Sequence, residues 1–96
     1  MKFEWDENKR QINLRKHGID FTEAHEIFIN PLLSKIDKRY YNEERWFALG
    51  ITRRCVVLVV YAERDEETIR IISIRKATKP ERKTYEKYLS NRLGKS

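Results

Sequence analysis

The chain contains little of what marks secreted or membrane proteins. It has one cysteine, Cys55, so no internal disulfide can form, and a reducing compartment is expected. No apolar run approaches the roughly 20 residues of a membrane-spanning helix. The first residues lack the apolar stretch of a signal peptide. We therefore expect a cytoplasmic protein without a membrane partner.

Motifs for metals and nucleotide cofactors are also missing. The sequence has no Cys/His pair at zinc spacing, no glycine-rich phosphate loop and no compact acidic cluster. Its two histidines, His17 and His25, lie eight residues apart with a predicted helix break between them. We expect no metal and no cofactor. Catalysis would then depend on cations and one or two proton carriers.

Length and charge describe one small basic domain. The 96 residues suffice for a single domain, residues 1–96, with one modest core. The net charge of +6 is concentrated near the end, where residues 70–96 hold nine Lys/Arg against two acidic residues. This asymmetry favours a polyanionic partner, either a nucleic acid or an acidic protein. Charge alone does not choose between them.

A predicted hairpin over residues 55–76 organises the chain. Residues 55–62 are apolar throughout, which is typical of a strand covered on both faces. Residues 63–68 are polar and predict the turn. The second strand, residues 69–76, alternates imperfectly. We expect one face with Ile69, Ile71, Ser73 and Arg75, and an opposite face with Arg70, Ile72, Ile74 and Lys76.

Capping signals predict three helices. A helix over residues 7–17 would follow a short strand at Phe3 and Trp5, with Asp6 as N-cap and Gly18 in a left-handed position after its end. A capping box at residues 20–23 begins the second helix, which Asn30-Pro31 closes. Thr78, Pro80 and Glu81 predict the start of the last helix.

Two weaker strands complete the fold class. Residues 33–40 and 45–52 read as strands joined by a turn at residues 42–44. The predicted order is β-α-α-β-β-β-β-α, an α+β domain. Because the loops between strands are short, we expect a small antiparallel sheet. The helices are expected to leave one sheet face uncovered.

RNA cleavage suits the residue types that are present. The RNA 2′-hydroxyl can attack the adjacent phosphorus, so the protein needs a base, an acid and positive charge. Arg64 and Arg75 are predicted to bind the phosphate, with His17 or Glu63 as base. Two of these residues also have a plainer interpretation: His17 complements the helix dipole, and Arg64 is a solvated turn residue.

Other side chains are secondary candidates. Tyr85 can stack a base or donate a proton, although core packing is an equal alternative; Tyr61 reads more readily as core. The candidate RNA-binding residues are Lys9, Lys76 and Arg82, with solvated surface as the alternative for Lys9. His25 reads as a packing or surface residue.

Five segments in order resemble the BrnT family of toxins. They are Phe3-x-Trp5-Asp6-x-x-Lys9-x-x-x-Asn13-x-x-Lys16-His17-Gly18-Ile19-x-Phe21-x-Glu23-Ala24, Arg45-Trp-Phe-Ala-Leu-Gly50, Val59-Val-Tyr-x-Glu-Arg64, Arg70-Ile-Ile-Ser-x-Arg75-x-Ala77 and Glu81-Arg82-x-x-Tyr85. Together they cover nearly the whole chain.

The resemblance implies a RelE-like fold and a metal-free ribonuclease toxin of a type II toxin–antitoxin pair. Translation would be inhibited through RNA cleavage. The partner would be a BrnA-like antitoxin with a ribbon-helix-helix DNA-binding part, in a heterotetramer that meets operator DNA only through the antitoxin. The residues that match family motifs and could act are Lys9, His17, Glu63, Arg64, Arg75, Arg82 and Tyr85. The alternatives are a non-catalytic RNA- or ribosome-binding module and a domain that only binds an antitoxin.

Overall fold

A computed structural model describes residues 1–38 and 44–94 of the chain. The strands are β1 (Lys2–Glu4), β2 (Leu33–Asp37), β3 (Arg45–Ile51), β4 (Val56–Glu63) and β5 (Thr68–Lys76). The helices are α1 (Glu7–His17), α2 (Ala24–Ile29) and α3 (Lys79–Arg92), with a 3-10 turn at Phe21–Glu23 before α2. The α+β class and the predicted order are confirmed. The predicted turn at residues 42–44 and the end of the strand predicted over residues 33–40 fall partly on residues 39–43, outside the described residues.

The helix ends are set by side-chain caps, as predicted. The Asp6 carboxylate accepts from the Lys9 backbone N–H at 3.1 Å, and Gly18 follows α1 at φ +72°. Capping boxes open both later helical segments, one at Asp20 and one at Thr78. Each cap satisfies backbone groups that the first helical turn leaves without partners.

The sheet is mixed rather than wholly antiparallel. Its order is β1-β5-β4-β3-β2, and β2 to β5 form the expected antiparallel meander. β1, however, runs parallel to β5, with Phe3 opposite Ile69. Short loops connect the last four strands, but β1 is followed by both N-terminal helices and pairs with the strand most distant in sequence. The rule that short loops imply antiparallel pairing therefore does not apply to β1.

A β-bulge corrects the predicted faces of β5. Val60 pairs with Ser73 and the next residue, Tyr61, pairs with Ile71, so Ile72 is an extra residue. Ile74 consequently lies on the buried side together with Ile69 and Ile71. The expectation that Ser73 and Arg75 share a face with Ile69 and Ile71 was wrong, because strict alternation fails at the bulge.

Both sheet faces carry helices, contrary to the expectation of one uncovered face. The first core joins the sheet to the segment around α2, where Phe21, Ala24 and Ile27 are fully buried. A second core lies on the other face, where α3 places Tyr85 over Leu49 and Val56. The Tyr85 hydroxyl donates to the Pro31 carbonyl at 2.8 Å and fastens α3 across that face. α3 covers one end of the face and leaves the rest open.

Asn13 fastens α1 to the edge of β5. Its side chain is buried; Nδ2 donates to the carbonyls of Ile19 (3.0 Å) and Ile74 (2.8 Å), and Oδ1 accepts from the Ile74 N–H at 3.1 Å. β1 pairs only with Thr68 to Arg70. Farther along β5, the Asn13 amide therefore satisfies the backbone N–H and C=O groups of Ile74, which would otherwise need a neighbouring strand as partner.

Candidate functional site

A groove of about 1080 Å³ occupies the open part of the second sheet face, beside the start of α3. Its apolar floor includes Phe47, Leu49, Leu58, Val60 and Ile72. The polar lining consists of Ser34, Lys35, Asp37, Lys38, Arg45, Ser73, Arg75, Glu81 and Thr84. Four of these side chains are cationic and two are acidic. An apolar floor with cations at its border fits bases and phosphates.

Arg75 is a firmly held cation in this lining. It stands opposite Leu58 in the sheet, and its guanidinium is bound by both carboxylate oxygens of Glu81, Nη1 to Oε1 at 2.9 Å and Nη2 to Oε2 at 3.0 Å. Nη1 also donates to the Lys76 carbonyl at 3.1 Å. With 36% of its side chain exposed, Arg75 still faces solvent. A bidentate pair of this kind fixes the guanidinium plane.

Glu81 has two structural tasks. Its Oε1 accepts from the Thr78 backbone N–H at 2.8 Å, closing the capping box, while it also binds Arg75. The pKa of the Glu81 carboxyl is lowered to about 2, mainly by the hydrogen bonds from the Arg75 guanidinium and to a smaller extent by the Thr78 N–H. Partial burial of Glu81 acts in the opposite direction and raises this pKa. The same pair raises the pKa of Arg75. One carboxylate therefore positions both the helix start and the cation.

Arg64 and Glu63 lie at the far end of the sheet from Arg75. The Arg64 N–H donates to the Thr68 carbonyl, and the Arg64 Nε lies 3.6 Å from a Glu4 carboxylate oxygen. Thr68 and Arg75 are seven strand residues apart, or about 20 Å. The structure does not bring Arg64 and Arg75 to one phosphate, because that separation exceeds the size of a phosphate group several times.

The remaining predicted RNA contacts are dispersed. His17 ends α1, half-buried, and Lys9 is exposed near the start of the same helix. Lys76 follows Arg75 and therefore points to the opposite face of the sheet, while Arg82 is exposed on α3. Within the described part of the chain, the groove lining includes Arg75 but none of these four residues.

Both tyrosine candidates are core residues in this structure. Tyr85 is fully buried, and burial raises the pKa of its hydroxyl, which is bonded to Pro31. Tyr61 is 5% exposed, and burial raises its pKa as well; its hydroxyl lies 3.3 Å from the Ser34 hydroxyl. These hydroxyls serve packing and internal hydrogen bonds.

Sequence reasoning missed three contributors to the groove. Glu81 was identified only as a cap, and Lys35 and Arg45 received no role. Lys35 lies opposite Phe47 and Arg45 opposite Asp37, all on the groove face. The alternation of residues along β2 and β3 indicates that Lys35 and Arg45 share a face. Because β2 is only weakly predicted as a strand, the sequence alone does not establish which of its side chains face the same way.

The described residues contain no group of three or more His, Cys, Asp or Glu placed to hold a metal ion. None of the helices among them has the length and apolar character needed to cross a membrane.

Comparison with known proteins finds a matching family model and a similar solved structure. The family model described as "Ribonuclease toxin, BrnT, of type II toxin-antitoxin system" matches residues 5–81. The crystal structure of the Brucella abortus ribonuclease toxin BrnT is similar, with 32% sequence identity and a TM-score of 0.64. The match covers 82% of this chain and 99% of that one. No curated protein sequence matches.

Proposed function

Because the chain belongs to the BrnT family of ribonuclease toxins of type II toxin–antitoxin systems, we propose that it is a metal-independent endoribonuclease that inhibits translation by cleaving RNA. The groove is the site at which RNA binds in this proposal. Its apolar floor suits an unpaired base, and its cations suit the sugar-phosphate chain.

One observation carries the proposal: Arg75 is fixed by Glu81 at the border of an open cationic groove. In the proposed reaction the 2′-hydroxyl gives its proton to solvent in the open groove as its oxygen attacks the neighbouring phosphorus. The bond to the 5′-oxygen breaks and that oxygen takes a proton from solvent, leaving a 2′,3′-cyclic phosphate and a 5′-hydroxyl. Negative charge builds up on the phosphoryl oxygens in the transition state. Arg75, already oriented, stabilises that charge without reorganisation.

The hydroxyls of Ser73 and Thr84 line the same groove and supply further donors for phosphate oxygens. Lys35 and Arg45 add positive charge along its opposite side. Arg64, His17 and Glu63 have no part in this version of the site, since none of them lines the groove. The nucleophile comes from the substrate, so charge stabilisation and orientation do most of the work asked of the protein.

The family also implies an antitoxin partner. We propose that it is a BrnA-like protein with a ribbon-helix-helix part, that the two form a heterotetramer, and that operator DNA is met only through the antitoxin. The cytoplasm, where RNA and ribosomes are found, is the proposed location.

Cleavage of a fluorescent single-stranded RNA in EDTA tests the enzyme. We expect the wild-type chain to yield 2′,3′-cyclic phosphate ends and to spare a 2′-deoxy substrate. Arg75→Ala should lower kcat/KM by roughly 10²–10³-fold, the range for loss of one charge-stabilising group. Arg15→Ala, which removes an exposed arginine of α1, is the matched control and should cleave normally. Folded wild type that leaves RNA intact would refute the proposal.

A non-catalytic RNA- or ribosome-binding module is the second candidate. The observation in its favour is that His17 and Glu63, the predicted bases, lie outside the groove. Such a module would bind RNA with a steep salt dependence and release it uncut. The same assay, read by both binding and product formation, separates the two functions.

A further inference from the structure

Two rows of paired residues cross the groove from β2 to β5. The first row consists of Leu33, Leu49, Leu58 and Arg75, and the second of Lys35, Phe47, Val60 and Ser73. Neighbouring strands lie about 4.8 Å apart, and residues two apart along one strand are separated by about 6.7 Å. These spacings convert the register of the sheet into distances between groups that line the groove.

Cations stand at opposite corners of this grid. Lys35 is exposed on β2, three strands and one row away from Arg75. The two Cα atoms are therefore about 16 Å apart. The Arg75 guanidinium is held by Glu81 and by the Lys76 carbonyl, so it does not extend across the floor towards β2. Lys35 and Arg75 accordingly suit two different phosphates of one strand.

Phe47 lies on the floor between these cations. Its register partners are Lys35 on β2 and Val60 on β4, and its half-buried ring lines the groove. The preceding residue, Trp46, packs against the first core, whereas neither core of the described residues includes Phe47. A phenylalanine outside the core and beside a cation offers a surface on which a nucleotide base can stack.

The separation of the two cations sets the length of RNA that connects them. Stacked nucleotides advance about 3.4 Å each, and an extended strand with splayed bases advances roughly twice as far. A span of about 16 Å then corresponds to about two or three nucleotides. The groove volume of about 1080 Å³ accommodates more than one nucleotide, since pockets for whole small molecules have about 300–1,000 Å³.

We propose that the groove contains a second phosphate subsite at Lys35, about two or three nucleotides from the phosphate cleaved at Arg75. A base of the intervening segment stacks on Phe47. The ligand is unpaired RNA, because a duplex does not release a base to the floor of the groove. This inference rests on the proposed function and adds to it the length of strand that the site requires.

Substrates of graded length test the span. Each carries one ribonucleotide in an otherwise 2′-O-methyl strand, so only the bond that follows this ribonucleotide can be cut. We expect kcat/KM to rise at least about tenfold when two or three nucleotides are added on one side of that bond, and then to level off. Equal kcat/KM for the shortest and the longest strands would overturn the proposal.

Lys35→Ala and Phe47→Leu test the two contacts. Each should lower the ratio of kcat/KM for the long strand to that for the shortest strand roughly tenfold, because each removes a contact that only the long strand makes. Phe47→Leu keeps an apolar side chain on the floor. An abasic nucleotide at the stacked position should therefore slow the wild type and have no further effect on this variant.

Two other variants serve as references. Arg75→Ala should lower kcat/KM for both strands alike and leave their ratio unchanged, since the cleaved phosphate is common to both. Lys16→Ala removes an exposed lysine of α1 and should keep the wild-type ratio. Thermal unfolding verifies that all variants are folded. A change of the ratio in Lys16→Ala as large as that in Lys35→Ala would overturn the assignment of the subsite.

Binding measured without cleavage separates this inference from the enzyme. Fluorescence anisotropy with fully 2′-O-methyl strands gives Kd at several salt concentrations. Lys35→Ala should reduce the slope of log Kd against log salt by about 0.7, the value for one phosphate contact to a single strand. A chain that binds in this way and cuts nothing would refute the enzyme alone. A chain that cuts RNA without regard to length, Lys35 or Phe47, or that binds polyglutamate more tightly than RNA of equal charge, would refute this inference alone.

Discussion

Replacing Glu81 by glutamine should destabilise the protein in a manner that depends on pH. Glutamine keeps the shape, and its amide oxygen can still accept from the Thr78 N–H. Its NH₂ group, however, would face an Arg75 nitrogen that is also a donor, so part of the bidentate pair seen at 2.9 and 3.0 Å is lost. The charge that holds Arg75 disappears as well.

The magnitude follows from the pKa of Glu81. A fall from 4.5 to about 2 on folding corresponds to about 3 kcal/mol if taken at face value. Because 27% of the Glu81 side chain and 36% of the Arg75 side chain are exposed, solvent screening reduces the effect. We expect a loss of about 1–2 kcal/mol in the free energy of unfolding at pH 7.

The stabilisation that Glu81 contributes should decrease as the pH falls. A carboxyl whose folded pKa is depressed contributes its full stability above the unfolded value of 4.5 and loses it as the pH falls towards about 2. The difference between wild type and Glu81→Gln should therefore shrink to less than half by pH 3. Urea unfolding followed by circular dichroism at pH 7, 5 and 3 measures it.

The control is Glu86→Gln, an exposed carboxylate of the same helix. It should change stability by less than about 0.5 kcal/mol, as most surface substitutions do. A Glu81→Gln effect that is equally large at pH 7 and pH 3 would refute the electrostatic reasoning. So would an effect no larger than that of the control.

Three further substitutions test the framework. Asn13→Ala should cost about 3 kcal/mol, because it leaves buried backbone groups of Ile74 without partners; the exposed Asn8→Ala in the same helix is its control, and equal urea midpoints would contradict the role given to Asn13. Gly50→Ala should cost about 1–3 kcal/mol, since a Cβ there would meet the Ile27 and Leu32 side chains at 2.9 Å; an unchanged melting temperature would show that these side chains yield. Tyr85→Phe should cost about 1 kcal/mol through loss of the bond to the Pro31 carbonyl; a loss of RNA cleavage of 10² or more with intact stability would instead reveal a proton carrier.

Much of the fold could be predicted because its signals are local. The cap at Asp6, the glycine after α1 and the capping box at Thr78 are each contained within a few residues, and all three are confirmed. The valine-rich run from Val56 is also a strand, as predicted, but the open groove leaves Leu58 and Val60 half-buried on one of its two faces. Local hydrogen bonding decides such features, so sequence is enough to find them.

The site could be predicted only in part because it depends on register and on distance. Arg75 was placed on the strand end that faces the groove, but Arg64 belongs to the other end of the hairpin. The sequence places Arg64 and Arg75 near the ends of two paired strands. It does not show that antiparallel pairing puts these two residues at opposite ends of the hairpin. The role of Glu81 depended on the turn between β5 and α3, which folds the helix start back onto Arg75.

The bulge in β5 accommodates one extra residue, Ile72, between two parts of the strand that each alternate normally. Removing Ile72 would place Ser73 directly after Ile71 and restore simple alternation, with Ile74 still on the face of Ile71 and the Arg75 guanidinium still on the groove face. A one-codon deletion there should thus do less harm than deletion of Ile74, which would turn the Arg75 side chain to the layer occupied by Ile71. In comparing relatives, a gap at this position would mark chains whose strand lacks the bulge and still directs the cation to the cleft.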